Sequence, residues 1–173
     1  MIRTFTALLA ASFLAAPVMA QESSDNRVAA NTDWSVFTAA EPTECWGVTA
    51  PKETVNTRDG LVVAARRGEI LLMVFYRPSA GVSGQLNFTG GYPFASGSTV
   101  NLNIDGTEFE LFTEGEWAWA ASPAEDAKII TAMKRGSQAV ATGRSSRGTT
   151  TKDTFSLLGF TAAVEDAERR CSS

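Results

Sequence analysis

Between residues 99 and 112 the chain alternates apolar and polar positions. Val100, Leu102 and Ile104, then Phe109 and Leu111, are apolar, and Asn101, Asn103, Glu108 and Glu110 between them are polar. A period of two is that of a strand with one buried face. Asp105-Gly106 interrupts the alternation and is a pair favoured in two-residue type I′ turns, where both central residues take positive φ. Such a loop sets Ile104 opposite Thr107, Leu102 opposite Phe109 and Val100 opposite Leu111. Turn chemistry and alternation therefore select the same register.

A second Asp-Gly, at Asp59-Gly60, separates residues 55–58 from 61–65, and Gly68 separates that run from residues 70–76. The last run is apolar without alternation, as in a central strand covered on both faces. Residues 84–88, 138–142 and 154–158 are further strand candidates, and Trp117-Ala118-Trp119 places both indoles on one face of a strand. Short strands at this spacing predict a mainly β chain, an antiparallel β-sandwich of the Ig-like kind. Two short helices interrupt it. Ser122-Pro123-Ala124-Glu125 is a capping box with Pro at the first helical position, leading to Met133 with Gly136 as a stop. A second helix over about residues 161–170 aligns Phe160, Ala163, Val164, Ala167 and Cys171 on one stripe, the face that docks on a core.

The start of the chain has a different pattern. A basic opening at Arg3, an apolar run over residues 5–16 and Ala20 after Pro17-Val18-Met19 read as an export signal over residues 1–20, too short for a membrane span. Residues 21–32 are polar and aperiodic and read as a flexible lead-in. Residues 33–173 are of single-domain length. Both cysteines, Cys45 and Cys171, follow the leader, so one intramolecular disulfide is expected in an oxidising compartment. Closing so long a loop removes about 4 to 5 kcal/mol of unfolded-chain entropy in the loop-closure account.

Composition narrows the chemistry. Lys and Arg number 15 against 19 Asp and Glu, for a net charge of −4, and the leader holds a single charge, Arg3. An acidic chain is a poor match for nucleic acid or anionic membranes. There is no His. Ser-His-Asp and Cys-His mechanisms are excluded with it, and no metal set, cofactor fingerprint or phosphate loop is present. Glu108, Glu110, Glu114 and Glu116 read as surface charge rather than an acid/base pair. Residues 142–152 form the one basic, small-residue loop, and Arg144, Arg147 and Lys152 are its candidate partner-binding side chains. Trp117 and Trp119 are the second candidate surface, although such a pair also serves as core. The reading is a noncatalytic module with an unidentified protein or envelope partner. A carboxylate enzyme with a cleft and a purely structural envelope protein are the alternatives.

Several segments together resemble the invasion-associated locus B family of exported bacterial proteins. They are Trp34, Cys45-Trp46 with Pro51-Lys52, Gly91-Tyr92-Pro93-Phe94, Ile104-Asp105-Gly106, and Ala132-Met133 before Gly136. The most specific stretch runs from Ser145-Ser146-Arg147-Gly148-Thr149 through Asp153 and Ser156-Leu157 to Gly159-Phe160-Thr161-Ala162-Ala163, and Cys171 closes the pattern. The resemblance implies a β-sandwich, export to the periplasm or outer surface, and a part in host-cell entry in the pathogens that give the family its name. It supplies no catalytic motif.

Overall fold

The computed structural model describes residues 26–41 and 43–172. The leader read over residues 1–20 lies outside the described residues. The strands, all antiparallel to their neighbours, are β1 (Arg27–Asn31), β2 (Trp34–Ala39), β3 (Glu44–Thr49), β4 (Glu53–Arg58), β5 (Leu61–Val62), β6 (Leu71–Arg77), β7 (Val82–Thr89), β8 (Thr99–Ile104), β9 (Thr107–Glu114), β10 (Trp117–Trp119), β11 (Gln138–Arg144) and β12 (Thr150–Ser156). The helices are α1 (Pro123–Arg135) and α2 (Phe160–Cys171).

The β8–β9 hairpin has the expected register, with Ile104 opposite Thr107, Leu102 opposite Phe109 and Val100 opposite Leu111. Its turn residues Asp105 and Gly106 take φ of 44° and 96°. Both helices also form where the pattern sets them. Ser122 caps α1 by accepting a hydrogen bond from the Glu125 N–H at 3.3 Å. Gly136 ends that helix in an extended conformation, and its lack of a side chain has a packing cause: a Cβ there would lie 2.9 Å from Ile104 Cγ2. In α2 the predicted stripe of Phe160, Ala163, Val164, Ala167 and Cys171 is buried.

The hydrogen-bonded ladder is one sheet of twelve strands, in the order β1-β2-β3-β6-β7-β10-β9-β8-β11-β12-β4-β5. The sandwich-like layering arises because this sheet bends back on itself. Phe88 of β7 meets Phe155 of β12 edge-on at 6.1 Å, and the Trp34 indole N–H of β2 donates to the carbonyl of Ser156, the last residue of β12, at 3.0 Å. Helix α2 fills the space against β2, β3 and β6, where Trp34 packs edge-on against Phe160 at 4.8 Å. The Cys45–Cys171 disulfide, S–S 2.06 Å, fastens the end of this helix to the start of β3. Strand β11 turns only Ala139, Ala141 and Gly143 inward, which leaves room for bulky neighbours: a Cβ on Gly143 would lie 2.9 Å from the Phe94 ring.

Two boundaries differ from expectation. Residues 27–31, read as part of the flexible lead-in, form edge strand β1 on β2. An edge strand is bonded on one side and needs little hydrophobic pattern to hold it. The strand read over 61–65 ends at Val62, after which the chain leaves the sheet as a strap without secondary structure up to β6.

Candidate functional site

Every second residue of β12 faces inward, and these are Thr151, Asp153 and Phe155. Asp153 is fully buried, so it needs a cation. The strap supplies one. Arg67 donates from both terminal nitrogens to the two carboxylate oxygens of Asp153, at 2.7 and 2.5 Å. It also donates to the Asn56 side-chain oxygen at 3.3 Å and from Nε to the Gly90 carbonyl at 2.8 Å. Its guanidinium lies 5.1 Å from the centre of the Tyr92 ring, and the Tyr92 hydroxyl shares a 2.5 Å hydrogen bond with Thr151 Oγ1. Burial pushes the Asp153 carboxyl above its ordinary value, and the Arg67 hydrogen bonds and charge oppose that shift only in part. Burial likewise pushes the Tyr92 hydroxyl up, against the Thr151 hydrogen bond and the Arg67 charge.

Backbone contacts seat the strap on this network. The Gly68 N–H donates to the Gly91 carbonyl at 2.8 Å. Gly91 has φ of +70°, and a Cβ there would stand 2.6 Å from the Gly68 carbonyl oxygen, so only glycine allows the two chains so close. The facing wall is the turn between β11 and β12. Ser145 Oγ accepts from the Thr149 N–H at 3.1 Å, and the Ser146 N–H donates to the Pro93 carbonyl at 2.9 Å.

Between strap and turn lies an open groove of about 410 Å³, with Tyr92 and Thr151 at its floor. Arg58, Arg66, Arg67 and Arg147 line it, with Glu116 as the carboxylate among the lining residues. Arg67 is spent on Asp153, and Arg58 gives one hydrogen bond to Thr149 Oγ1 at 2.7 Å. Among the described residues no carboxylate pairs with Arg58, Arg66 or Arg147. Guanidinium forks in that position match carboxylate or phosphate oxygens.

The five candidate side chains fall in three places. Arg147 lines the groove. Arg144 and Lys152 are exposed at positions of β11 and β12 that alternate with the inward Gly143, Thr151 and Asp153, so they lie on the other side of the sheet. Trp117 and Trp119 flank the fully buried Ala118 and face outward, opposite Glu114 and Phe112 of β9. That outer face continues into a row the sequence reading did not single out. Phe37, Trp46 and Phe75 stack across β2, β3 and β6 at 5.5 and 5.9 Å, and Arg77 closes the row over Phe75 while pairing with Glu44. Arg58, Arg66, Arg67 and Asp153 were missed as well. The available signal was Arg66-Arg67 ahead of Gly68, together with one Asp in the inward phase of an alternating strand.

An antiparallel sheet bent round a disulfide-anchored helix, with an arginine-lined groove at one mouth, defines a β-sandwich-type domain. Residues 34–168 match the family described as Invasion associated locus B (IalB) protein, and the chain belongs to that family. The crystal structure of invasion associated protein B from Bartonella henselae superimposes with a TM-score of 0.58 at 14% identity, covering 84% of this chain and 98% of that one. No curated protein matches the chain.

Proposed function

We propose that the chain works after export, in the periplasm or at the outer surface, as a noncatalytic binding module of the cell envelope, with the arginine-lined groove as its partner-facing surface. The observation that carries this reading is the set of three guanidiniums around one groove, Arg58, Arg66 and Arg147, that have no carboxylate partner among the described residues, in a chain of net charge −4. Beneath the groove Asp153 is engaged with Arg67, at its floor Tyr92 is engaged with Thr151, and Glu116 is left as a single carboxylate among four lining arginines. That leaves recognition, rather than proton transfer, as the task the walls are equipped for. The Cys45–Cys171 bond and the leader read from the sequence support an extracytoplasmic setting.

The test compares two double variants of the exported chain, Arg66→Gln/Arg147→Gln in the groove and Arg144→Gln/Lys152→Gln on the opposite side of the sheet. Each is melted, then used to capture envelope or host-surface partners at about 50 and 300 mM salt. Exposed charges contribute within about 0.5 kcal/mol to folding, so both variants melt like the wild type. The groove variant loses the salt-sensitive capture and the other keeps it. Full capture by the groove variant overturns the reading.

A second reading rests on the outer face. Phe112 and Trp117 there are 48% and 45% exposed, and Met73, although outward by alternation, is 4% exposed. A contiguous apolar surface of this kind suits a protein partner. In that case Trp117→Ser abolishes capture and the groove variant does not.

A further inference from the structure

Strap residues Ala64, Ala65 and Arg66 are exposed and outside any strand. The strap is held at its two ends, by the Val63 N–H on the Asn56 carbonyl at 2.9 Å and by the Gly68–Gly91 bond. Between those points, Ala64, Ala65 and Arg66 make no backbone hydrogen bond to any described residue. Their N–H and C=O groups thus stand without main-chain partners among the described residues along the wall of the groove, open to pairing with an added strand. Nothing bulky shields it, since two of the three side chains are methyl groups. Just before it, edge strand β5 exposes Leu61 and Val62 at 71% and 78%, which is unusual for a solvated hairpin. The same wall and the one opposite carry Arg58, Arg66 and Arg147, none of them paired with a carboxylate among the described residues.

A free phosphate would use the guanidiniums but has no use for unpaired carbonyls along the strap or for Leu61 and Val62. An extended peptide uses all three. We propose that the groove takes an extended acidic peptide segment, which adds as a strand to residues 64–66 and places its carboxylates on Arg58, Arg66 and Arg147. Main-chain bonds then supply affinity, while alternate side chains supply specificity through the arginines on one side and the apolar pair on the other. This rests on the groove being the partner-facing surface, and it specifies the partner and its mode of binding.

The test uses a fluorescein-labelled hexapeptide of alternating Glu and Val, and a twin with the same side chains but N-methylated at alternate residues so that it cannot pair as a strand. Anisotropy titrations are run on the full exported chain and on Arg66→Gln/Arg147→Gln, with inorganic phosphate as competitor. The plain peptide binds saturably, the methylated twin about tenfold more weakly, and the groove variant weakens the plain peptide by a similar factor. Because the decisive comparison changes the ligand and not the protein, a misfolded variant cannot mimic the result. Equal binding of the two peptides overturns strand addition. No saturable peptide binding, while the groove variant still abolishes capture of the envelope or host-surface partner, overturns the acidic peptide but leaves the binding groove standing. Peptide binding unaffected by the groove variant overturns both.

Discussion

Asp126 is a buried carboxylate, and its Oδ1 accepts a hydrogen bond from the Leu86 N–H at 2.9 Å. Burial pushes its pKa above the ordinary 3.8, and the Leu86 hydrogen bond only partly opposes the shift. The folded state therefore holds this proton more tightly than the unfolded chain does. The cost is absent below the unfolded pKa, sets in as pH rises through the window above it, and is complete once the folded group has ionised. Asp126→Asn keeps the acceptor and removes the charge. Urea unfolding is expected to show the variant more stable than the wild type at pH 7, with the difference closing by about pH 3. A variant weaker at pH 7 contradicts this account. Glycines give the second test at this scale. Gly106 takes φ of 96° in its turn, as its sequence context indicates, and Gly81 takes 66° where it closes the short turn Pro78–Ala80. Valine at either position should cost on the order of 1 to 3 kcal/mol, measured as denaturant midpoints. An unchanged midpoint for Gly81→Val would show that its loop relaxes.

The elements divide according to how local their causes are. The β8–β9 hairpin, helix α1 and the stripe of α2 were legible because a turn pair, a capping box and a periodicity each act within a few residues. The strap was not. Residues 61–65 read as a strand from their apolar character, yet after Val62 the chain leaves the sheet and carries Arg67 to Asp153, 86 positions away in sequence. Long-range ion pairing leaves no local pattern, so the groove was legible only through Arg147 in its turn. The pair also gives the element-scale prediction. Asp153→Asn leaves the Arg67 guanidinium buried without its counterion and is expected to cost about 3 to 5 kcal/mol. Arg67→Met/Asp153→Leu removes both charges and should recover much of that loss, read as a double-mutant cycle of urea midpoints. A double variant as weak as Asp153→Asn would mean that the pair does not act through charge burial.

At the scale of the molecule, one sheet provides both layers, and it bends until the start of β2 meets the end of β12 beside α2. The sandwich class was readable from strand spacing, but the continuity of the ladder was not, because which strands become neighbours depends on contacts between distant segments. The Cys45–Cys171 bond spans 126 residues of that closure. Cys171→Ser is expected to lower stability by about 2 to 5 kcal/mol, and nonreducing mass spectrometry of exported protein should find no free thiol. The bent sheet also separates two surfaces, the arginine groove at its mouth and the aromatic outer face, and the central claim is that the groove is the one that meets a partner. Amide and indole NMR spectra of the exported chain, titrated with the Glu-Val hexapeptide, test this most directly. The account predicts shifts concentrated at Ala64, Ala65, Arg66, Gly91 and Ser145 through Thr149, with the Trp117 and Trp119 indole signals unmoved. Shifts centred on those two indoles, with the strap amides unchanged, would contradict it.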